Sequence, residues 1–352
     1  MRILVTGGCG FIGTNVCIEA VNRGHKVIAM DSFIRPKSEQ NLKALKKLKV
    51  EILRGDVRSA LDLQRSPIPD AIIHLAANPG IPWSIQWPKY DFEVNTIGTL
   101  NILEYARIMG EQFSKKIPVI FASTNKVYSD LINNIPCKQQ KTRYVWTQPK
   151  DGWFEGVSEH GINEFFPIDG YGQNAHSPYG ASKLAGDIYC QEYFLTYGVP
   201  TVVNRMSCIY GYHQKGVEDQ GWIDHFVRKI AFGDGELTFY GLGKQVRDML
   251  FGTDVARLYI DEVENIDKVK GEVFTIGGGV NNTLSLLEAV NFIEEISRRT
   301  AHIQIKPMRH ADQRIYISDI RKIKNKLGWE PTVTPQEGIQ KMYSAYLMSN
   351  DL

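Results

Sequence analysis

Two residue pairs in this 352-residue chain have types and spacing suited to moving protons. The first is Tyr179 and Lys183 in Tyr179-Gly180-Ala181-Ser182-Lys183. A helical reading of 179–197 places them one turn apart on one face. A phenol, with a reference pKa of about 10, is a poor base at neutral pH, and a nearby ammonium makes the phenolate more accessible. The same spacing recurs in Tyr240 and Lys244, but Gly241, Leu242 and Gly243 lie between them, so no helix is expected there. The second pair is Ser123-Thr124, hydroxyls that directly follow the β-like run Pro118–Ala122.

A third feature addresses a phosphate. The run Arg2–Thr6 passes straight into Gly7-Gly8-Cys9-Gly10-Phe11-Ile12-Gly13 and then a helical stretch to Asn22. In Gly-x-x-Gly-x-x-Gly, Gly7 suits a tight turn, Gly10 lets a diphosphate approach the backbone, and Gly13 allows close helix–sheet packing. Phe11 and Ile12 open a helix whose N-terminus offers N–H groups and a partial charge of about +0.5. Asp31 ends the next strand, roughly 20 residues on, where a carboxylate binds ribose hydroxyls and repels a 2′-phosphate. The motif therefore favours NAD over NADP, although Arg35 and Lys37 lie nearby.

To position these groups the sequence predicts an α/β fold. Short β-branched runs at Arg2–Thr6, Lys26–Met30, Val50–Leu53, Ala71–Leu75, Pro118–Ala122 and Pro200–Asn204 alternate with helical stretches, the pattern of parallel strands joined by crossover helices. Right-handed crossovers then give a doubly wound sheet. Between Ser129 and Ser177 the periodicity dissolves into a segment much longer than the usual connection of about 4–6 residues. Its Trp146, Trp153, Phe154, Phe165 and Phe166 argue for order, and it is expected to pack over the active site. Residues 1–210 are expected to form mainly the dinucleotide domain, with 129–178 inserted, and 211–352 mainly a smaller substrate lobe, with some segments returning to the first domain.

Composition narrows the partners. The 41 basic and 39 acidic residues leave a charge of +2, which gives no reason to expect nucleic acid or an acidic membrane. The basic stretches Lys43–Lys49 and Arg321–Lys326 are punctuated by apolar residues and read as amphipathic helices. No secretory signal and no long apolar span is evident, so a cytoplasmic protein is expected. The five cysteines are scattered, without metal or redox spacing, and read as reduced thiols. The eight histidines show no ligand spacing, so no metal is expected.

With the glycine loop, Ser123-Thr124 and Tyr179/Lys183, the chain resembles the extended short-chain dehydrogenase/reductase family. The resemblance extends to Asp56-Val57, His74-Leu75-Ala76-Ala77 and Asn95, which in that family flank the adenine, the nicotinamide ribose and the active-site helix. It continues through Gln245-Val246-Arg247-Asp248, Pro307-Met308-Arg309-His310-Ala311-Asp312 and Leu327-Gly328-Trp329-Glu330-Pro331. It implies a Rossmann-type fold, bound NAD, and a homodimer through the helix before Pro118–Ala122 and the helix containing Tyr179. Thr124 would hydrogen-bond the reacting hydroxyl, Tyr179 would be the acid/base, and Lys183 would hold the ribose and tune Tyr179. Gly7, Gly10, Phe11, Ile12, Gly13, Asp31, Asp56, Val57, Leu75, Ala76, Ala77, Asn95 and Ser123 are the cofactor candidates. Asn125, Asn204, Arg247 and Arg309 are the substrate candidates, the two arginines gripping a diphosphate.

The family's 4,6-dehydratases carry Asp-Glu after the threonine, whereas this chain has Asn125-Lys126. An amide supplies no acidic proton and a lysine is cationic, so dehydration loses both catalysts. Thr124-Asn125-Lys126-Val127-Tyr128 is similar to the CDP-paratose (tyvelose) 2-epimerases of the family, as are Arg205–Gly211, Gln214 and Glu218-Asp219-Gln220-Gly221-Trp222. One departure is Ser129, where those enzymes usually have Gly. The resemblance implies inversion at carbon 2 of a nucleotide sugar through a 2-keto sugar. A UDP-sugar 4-epimerase, a net reductase and a catalytically silent NAD-binding regulator remain as alternatives.

Overall fold

The computed structural model describes residues 1–148, 152–169, 176–218, 220–309 and 312–348. Its centre is a parallel sheet of seven strands: β1 (Arg2–Thr6), β2 (Lys26–Asp31), β3 (Glu51–Arg54), β4 (Ala71–His74), β5 (Val119–Thr124), β6 (Thr201–Met206) and β7 (Val273–Ile276). They lie in the order β7-β6-β5-β4-β1-β2-β3. The chain reverses direction across the sheet between β1 and β4, and the crevice at such a switch point is where α/β sheets bind ligands. The expected runs each yield one of β1 to β6; β7, from beyond residue 211, had not been placed in the sheet.

Strand alternation divides the apolar residues between two faces. Ile3, Val5, Ala29, Ile73 and Ile120 point into one core, which α1 (Phe11–Asn22) and the later helix Gly252–Glu264 cover. Leu4, Ile28, Ile72, Val119 and Phe121 point into the other, which α2 (Gly98–Gln112) and α3 (Pro178–Tyr197) cover. Helices on both faces explain why these strands read as near-continuous apolar runs.

The C-terminal part builds a separate core around Tyr210, Phe226, Phe239 and Phe251. There the strand Val246–Phe251 pairs with Cys208–Tyr210, Thr283–Ser285 and Ile315–Tyr316. In the long insertion, Ile132, Ile135, Val157, Ile162 and Phe166 pack on Val127 and Tyr128, the turn that follows Thr124. Its other aromatics are less committed, since Phe154 and Phe165 are exposed. Leu42–Lys47 and Arg321–Leu327 are helices, as their spacing predicts. Lys244 follows the strand Glu236–Tyr240 in a turn and donates to the Gln140 carbonyl, so it does not share a helix face with Tyr240. Cys9, Cys17 and Cys190 are buried free thiols.

Candidate active site

The glycine loop turns between β1 and α1. Gly7 has φ +65, and a methyl there would lie 2.9 Å from the Ala76 nitrogen at the end of β4. A methyl at Gly13 would lie 2.2 Å from the Gly7 carbonyl oxygen, so α1 reaches the loop this closely only without a side chain. Gly10 is the N-cap of α1 and no side chain caps it, so the first-turn N–H groups at Phe11 and Ile12 are left for an anion. Gly10 and Phe11 line a cleft together with Arg35, Ser38, Asn41 and Gly221. Asp31, at the end of β2, has its carboxylate accepting from the Cys9 and Phe33 amides at 3.0 and 2.9 Å. A bare helix N-terminus, a glycine-lined approach and a carboxylate at the end of β2 together fit an NAD cofactor.

Below the cleft, Thr6 Oγ1 and Thr99 Oγ1 bracket the His74 ring at 2.7 and 3.1 Å. Burial, helped by the Lys183 charge, lowers the His74 pKa to about 3, so the ring stays neutral. The Ala76 amide donates to Thr6 Oγ1 at 3.2 Å, which fixes the loop Leu75-Ala76-Ala77 against the glycine turn.

Thr124 ends β5 and Tyr179 opens α3, whose N-cap Ser177 accepts from the Gly180 amide. The crossing is close: a methyl at Gly180 would lie 2.5 Å from the Lys126 carbonyl oxygen. This brings the Tyr179 phenol near Thr124, whose hydroxyl favours the phenolate. Burial pushes the Tyr179 phenol up to about 12; Asp91 raises it further, while Thr124 and Arg35 act the other way. Lys183, one turn on, is nearly fully buried, with its ammonium 4.1 Å from the centre of the Phe121 ring. Burial lowers it to about 8 against the opposing pull of Cys190, Asp187 and Asp91. The protein's own groups thus keep the phenol protonated and Lys183 largely cationic at neutral pH.

The N-terminal part of the chain, residues 3–151, matches the model of the NAD dependent epimerase/dehydratase family, and residues 156–342 match that of GDP-mannose 4,6 dehydratase. The CDP-paratose 2-epimerase of Salmonella typhi is 37% identical over 97% of this chain and 98% of its own. The chain belongs to the NAD-dependent epimerase/dehydratase family. A dTDP-glucose 4,6-dehydratase of Xanthomonas campestris pv. campestris is 30% identical, covering 98% of this chain and 92% of its own. Among solved structures, the UDP-glucose 4-epimerase of Thermus thermophilus, in complex with NAD, superposes with a TM-score of 0.78 at 25% identity, over 99% of this chain and 100% of that one.

The family's Rossmann fold and NAD dependence agree with the cleft, while several candidate residues prove to stand behind it. Asn204 is fully buried in β6 and donates to Glu262 at 2.8 Å, which places it in the core. Asn95, in a π-helical turn, is fully buried. It donates to Asp91, Ser182 and the Asn78 carbonyl and accepts from the Asn78 amide, which leaves it a brace between α3 and the loop after β4. Ser123 spends its hydroxyl on Asp187 at 2.7 Å. The Asp56 carboxylate is engaged by Arg58, whose bonds outweigh burial and hold its pKa below the ordinary carboxylate value, and Val57 packs beneath Gly98.

Asn125 is buried beside Thr124, and its Nδ2 donates to Gln313 Oε1 at 2.9 Å. Arg247 pairs with Asp312 at 2.6 Å, and Arg309 stacks 3.5 Å from the centre of the Tyr240 ring. Asp219, His310 and Ala311 of the matching motifs lie outside the described residues. Ser129 has φ −63, so its turn does not require glycine, and its hydroxyl accepts from the Leu131 amide.

Sequence reading gave no role to Asp187, Asp312 or Gln313, although Asp312 closes one of the matching motifs. Asp187, one turn beyond Lys183 on α3, carried a local signal. It forms a buried pair with Arg205 at 2.9 Å, which locks α3 to β6. Asp312 and Gln313 meet their partners only through the tertiary fold.

Proposed function

We propose that this NAD-dependent enzyme inverts carbon 2 of a CDP-hexose of the CDP-paratose or CDP-glucose type, in the cytoplasm, by way of a transient 2-keto sugar. The observation that carries this reading is the pair after Thr124. Asn125 is tied to Gln313 and supplies no acidic proton, and Lys126, which faces Arg247 and Asp312, carries a charge that keeps it from acting as the base that dehydration needs. Burial lowers the Lys126 pKa to about 8, which leaves it mostly cationic at neutral pH.

In this reading Tyr179 takes the proton from the sugar's 2-hydroxyl while Thr124 holds that oxygen, and Lys183 anchors the nicotinamide ribose. Bound NAD supplies the hydride acceptor and the positive charge that favours the phenolate. After oxidation the keto sugar turns over, so that the hydride held by bound NAD would return to the opposite face of carbon 2 while Tyr179 returns the proton to the oxygen. Such turning requires weak contacts to the sugar and strong ones to the nucleotide, a division that suits Arg247 and Arg309 on the lobe of residues 211–352. Glycine-loop residues 7–13 and Asp31 would hold the dinucleotide.

A homodimer forms part of the proposal. Phe92, Ile97 and Ile108 lie exposed on and around α2, and Ile188, Tyr189 and Leu195 on α3, an apolar face suited to a second copy. Light scattering at micromolar concentration tests it. Among the described residues no helix is long and apolar enough to cross a membrane.

The deciding experiment is NMR of the enzyme with NAD and a panel of CDP- and UDP-hexoses in deuterated water. Inversion at carbon 2 without deuterium uptake is expected. Inversion at carbon 4 would transfer the assignment to a UDP-sugar 4-epimerase, and stoichiometric consumption of nicotinamide to a reductase. Tight NAD binding with no turnover of any sugar would leave a regulator.

A further inference from the structure

The cleft at the glycine turn has a second wall, contributed by the C-terminal part of the chain. His213, Gly216, Gln220 and Gly221, which follow the strand Cys208–Tyr210, line it together with Gly10 and Phe11. This wall is braced from its own side. The Gly216 amide donates to Asp224 at 2.7 Å and Arg228 donates to the Gly216 carbonyl oxygen, both partners lying on or just after the helix Trp222–Val227. Val217 and Gln220 exchange backbone bonds at 2.8 and 3.0 Å. Gly221 has φ +78, and a methyl there would lie 2.9 Å from the Gln214 side-chain nitrogen, so the turn closes tightly on itself. A segment bonded in this way moves with the elements that carry it and not as a loose loop.

Side chains from the first strands and helix hold that wall against the glycine turn. Asn15, on α1, donates to the Tyr212 carbonyl oxygen at 2.9 Å. Asn41 donates to the His213 carbonyl oxygen at 3.3 Å and to that of Cys9, inside the glycine loop, at 3.0 Å. Both asparagines are buried, at 5% and 4% exposure, so water competes poorly for these bonds. At the open rim Arg35 donates to the Gln220 side-chain oxygen. The donors belong to the part that carries the glycine loop and the acceptors to the wall, so the wall lifts only when these bonds break.

We propose that Asn15, Asn41 and the Arg35–Gln220 pair form a latch that keeps the reduced cofactor in place between the two halves of the reaction. The inference rests on the epimerase reading. There, the hydride taken from a sugar must return to that same sugar, and an enzyme that let its reduced cofactor go midway would strand the keto form and lose its acceptor. A net reductase needs the opposite, release in every cycle. Asn41 and Gln220 are positioning residues in this arrangement, since they act on the cofactor through the wall they hold.

The test is stopped-flow release of NADH fluorescence from the loaded enzyme into excess NAD, without sugar. Gln220→Met and Gln220→Lys should speed release about two- to five-fold, and Gln220→Glu, which gives Arg35 a charged partner, should slow it. A charge acting directly on the diphosphate works in the reverse sense, because an added cation holds the dinucleotide and an added anion expels it. The order of the rates therefore separates a latch from a local field. Asn41→Ala should speed release about ten-fold, and the Gln220 variants, altered at the open rim, decide the matter should Asn41→Ala fail to fold. Release from Gln220→Met and Gln220→Lys at the parent's rate, or slower release from Gln220→Lys than from Gln220→Glu, would overturn the proposal. No sugar is present, so the result stands apart from the choice of substrate. With a sugar that the parent epimerises, Gln220→Lys should lose activity over successive turnovers and regain it when NAD is added, a rescue that damage to the fold would not show.

Discussion

Replacing Glu262 by glutamine should flatten the pH dependence of folding stability. Glu262 lies fully buried on the helix Gly252–Glu264, where one oxygen accepts from Asn204 at 2.8 Å. Its other oxygen and the Asn204 carbonyl oxygen find no partner among the described residues. Two neighbouring acceptors share a shortage of donors, and a proton on the carboxyl relieves it. Burial accordingly raises the pKa of this group from 4.5 to about 8, with Asn204 acting the other way. Because the folded pKa lies above the unfolded one, the folded state holds the extra proton between these two values. Stability from this group is complete below about pH 4.5, is lost as the pH rises through the window, and changes no further above about pH 8. One proton corresponds to about 1.4 kcal/mol per pH unit, so about 4 kcal/mol is at stake between pH 5 and pH 8. Glu262→Gln carries a permanent N–H donor and no titrating proton. Urea unfolding of both proteins from about pH 5 to about pH 9 should show the variant gaining on the parent up to pH 8 and running parallel to it beyond. Curves parallel across the whole range would refute the reasoning.

Other outcomes follow from contacts of the same kind. Gly13→Ala should abolish NAD retention, measured by fluorescence titration, because its methyl would meet backbone at 2.2 Å that cannot yield without opening the loop. Asp187→Asn leaves the Arg205 guanidinium buried without its counter-charge and should cost about 3–5 kcal/mol in urea unfolding, whereas an exposed pair such as Lys270 with Asp267 should cost under about 1 kcal/mol. Tyr179→Phe should reduce turnover by about two to four orders of magnitude while NAD titrates as in the parent; a fully active variant would remove Tyr179 from the chemistry.

Much of the nucleotide end could be read directly. The glycine loop, Asp31 and the first six strands are local patterns, since a turn followed by a helix and an apolar run that fills a doubly covered strand both impose residue types on consecutive positions. Tyr179 and Lys183 were legible for the same reason, being four apart on a helix that begins with Ser177-Pro178. The candidates placed by motif alone fared differently. Asn95 and Ser123 occur in the expected strings and Asn204 ends an expected strand, yet their side chains bond protein groups. A string identifies the neighbourhood of a backbone position but not the direction in which its side chain points.

Sequence alone determined the periodic and the contiguous: an α/β chain, a glycine-rich turn between the first strand and helix, a tyrosine and lysine on one helix face, and a threonine followed by an amide and a cation in place of two acids. Tertiary structure decided what distant residues do to these groups. It placed β7 at the sheet edge, put Asp187 against Arg205, set Arg247 on Asp312, and brought Gln313 to Asn125. The physical reason is that a helix or strand repeats within a few residues, whereas a buried hydrogen bond depends on two chain segments meeting with their polar atoms aligned, and no spacing along the chain encodes that meeting.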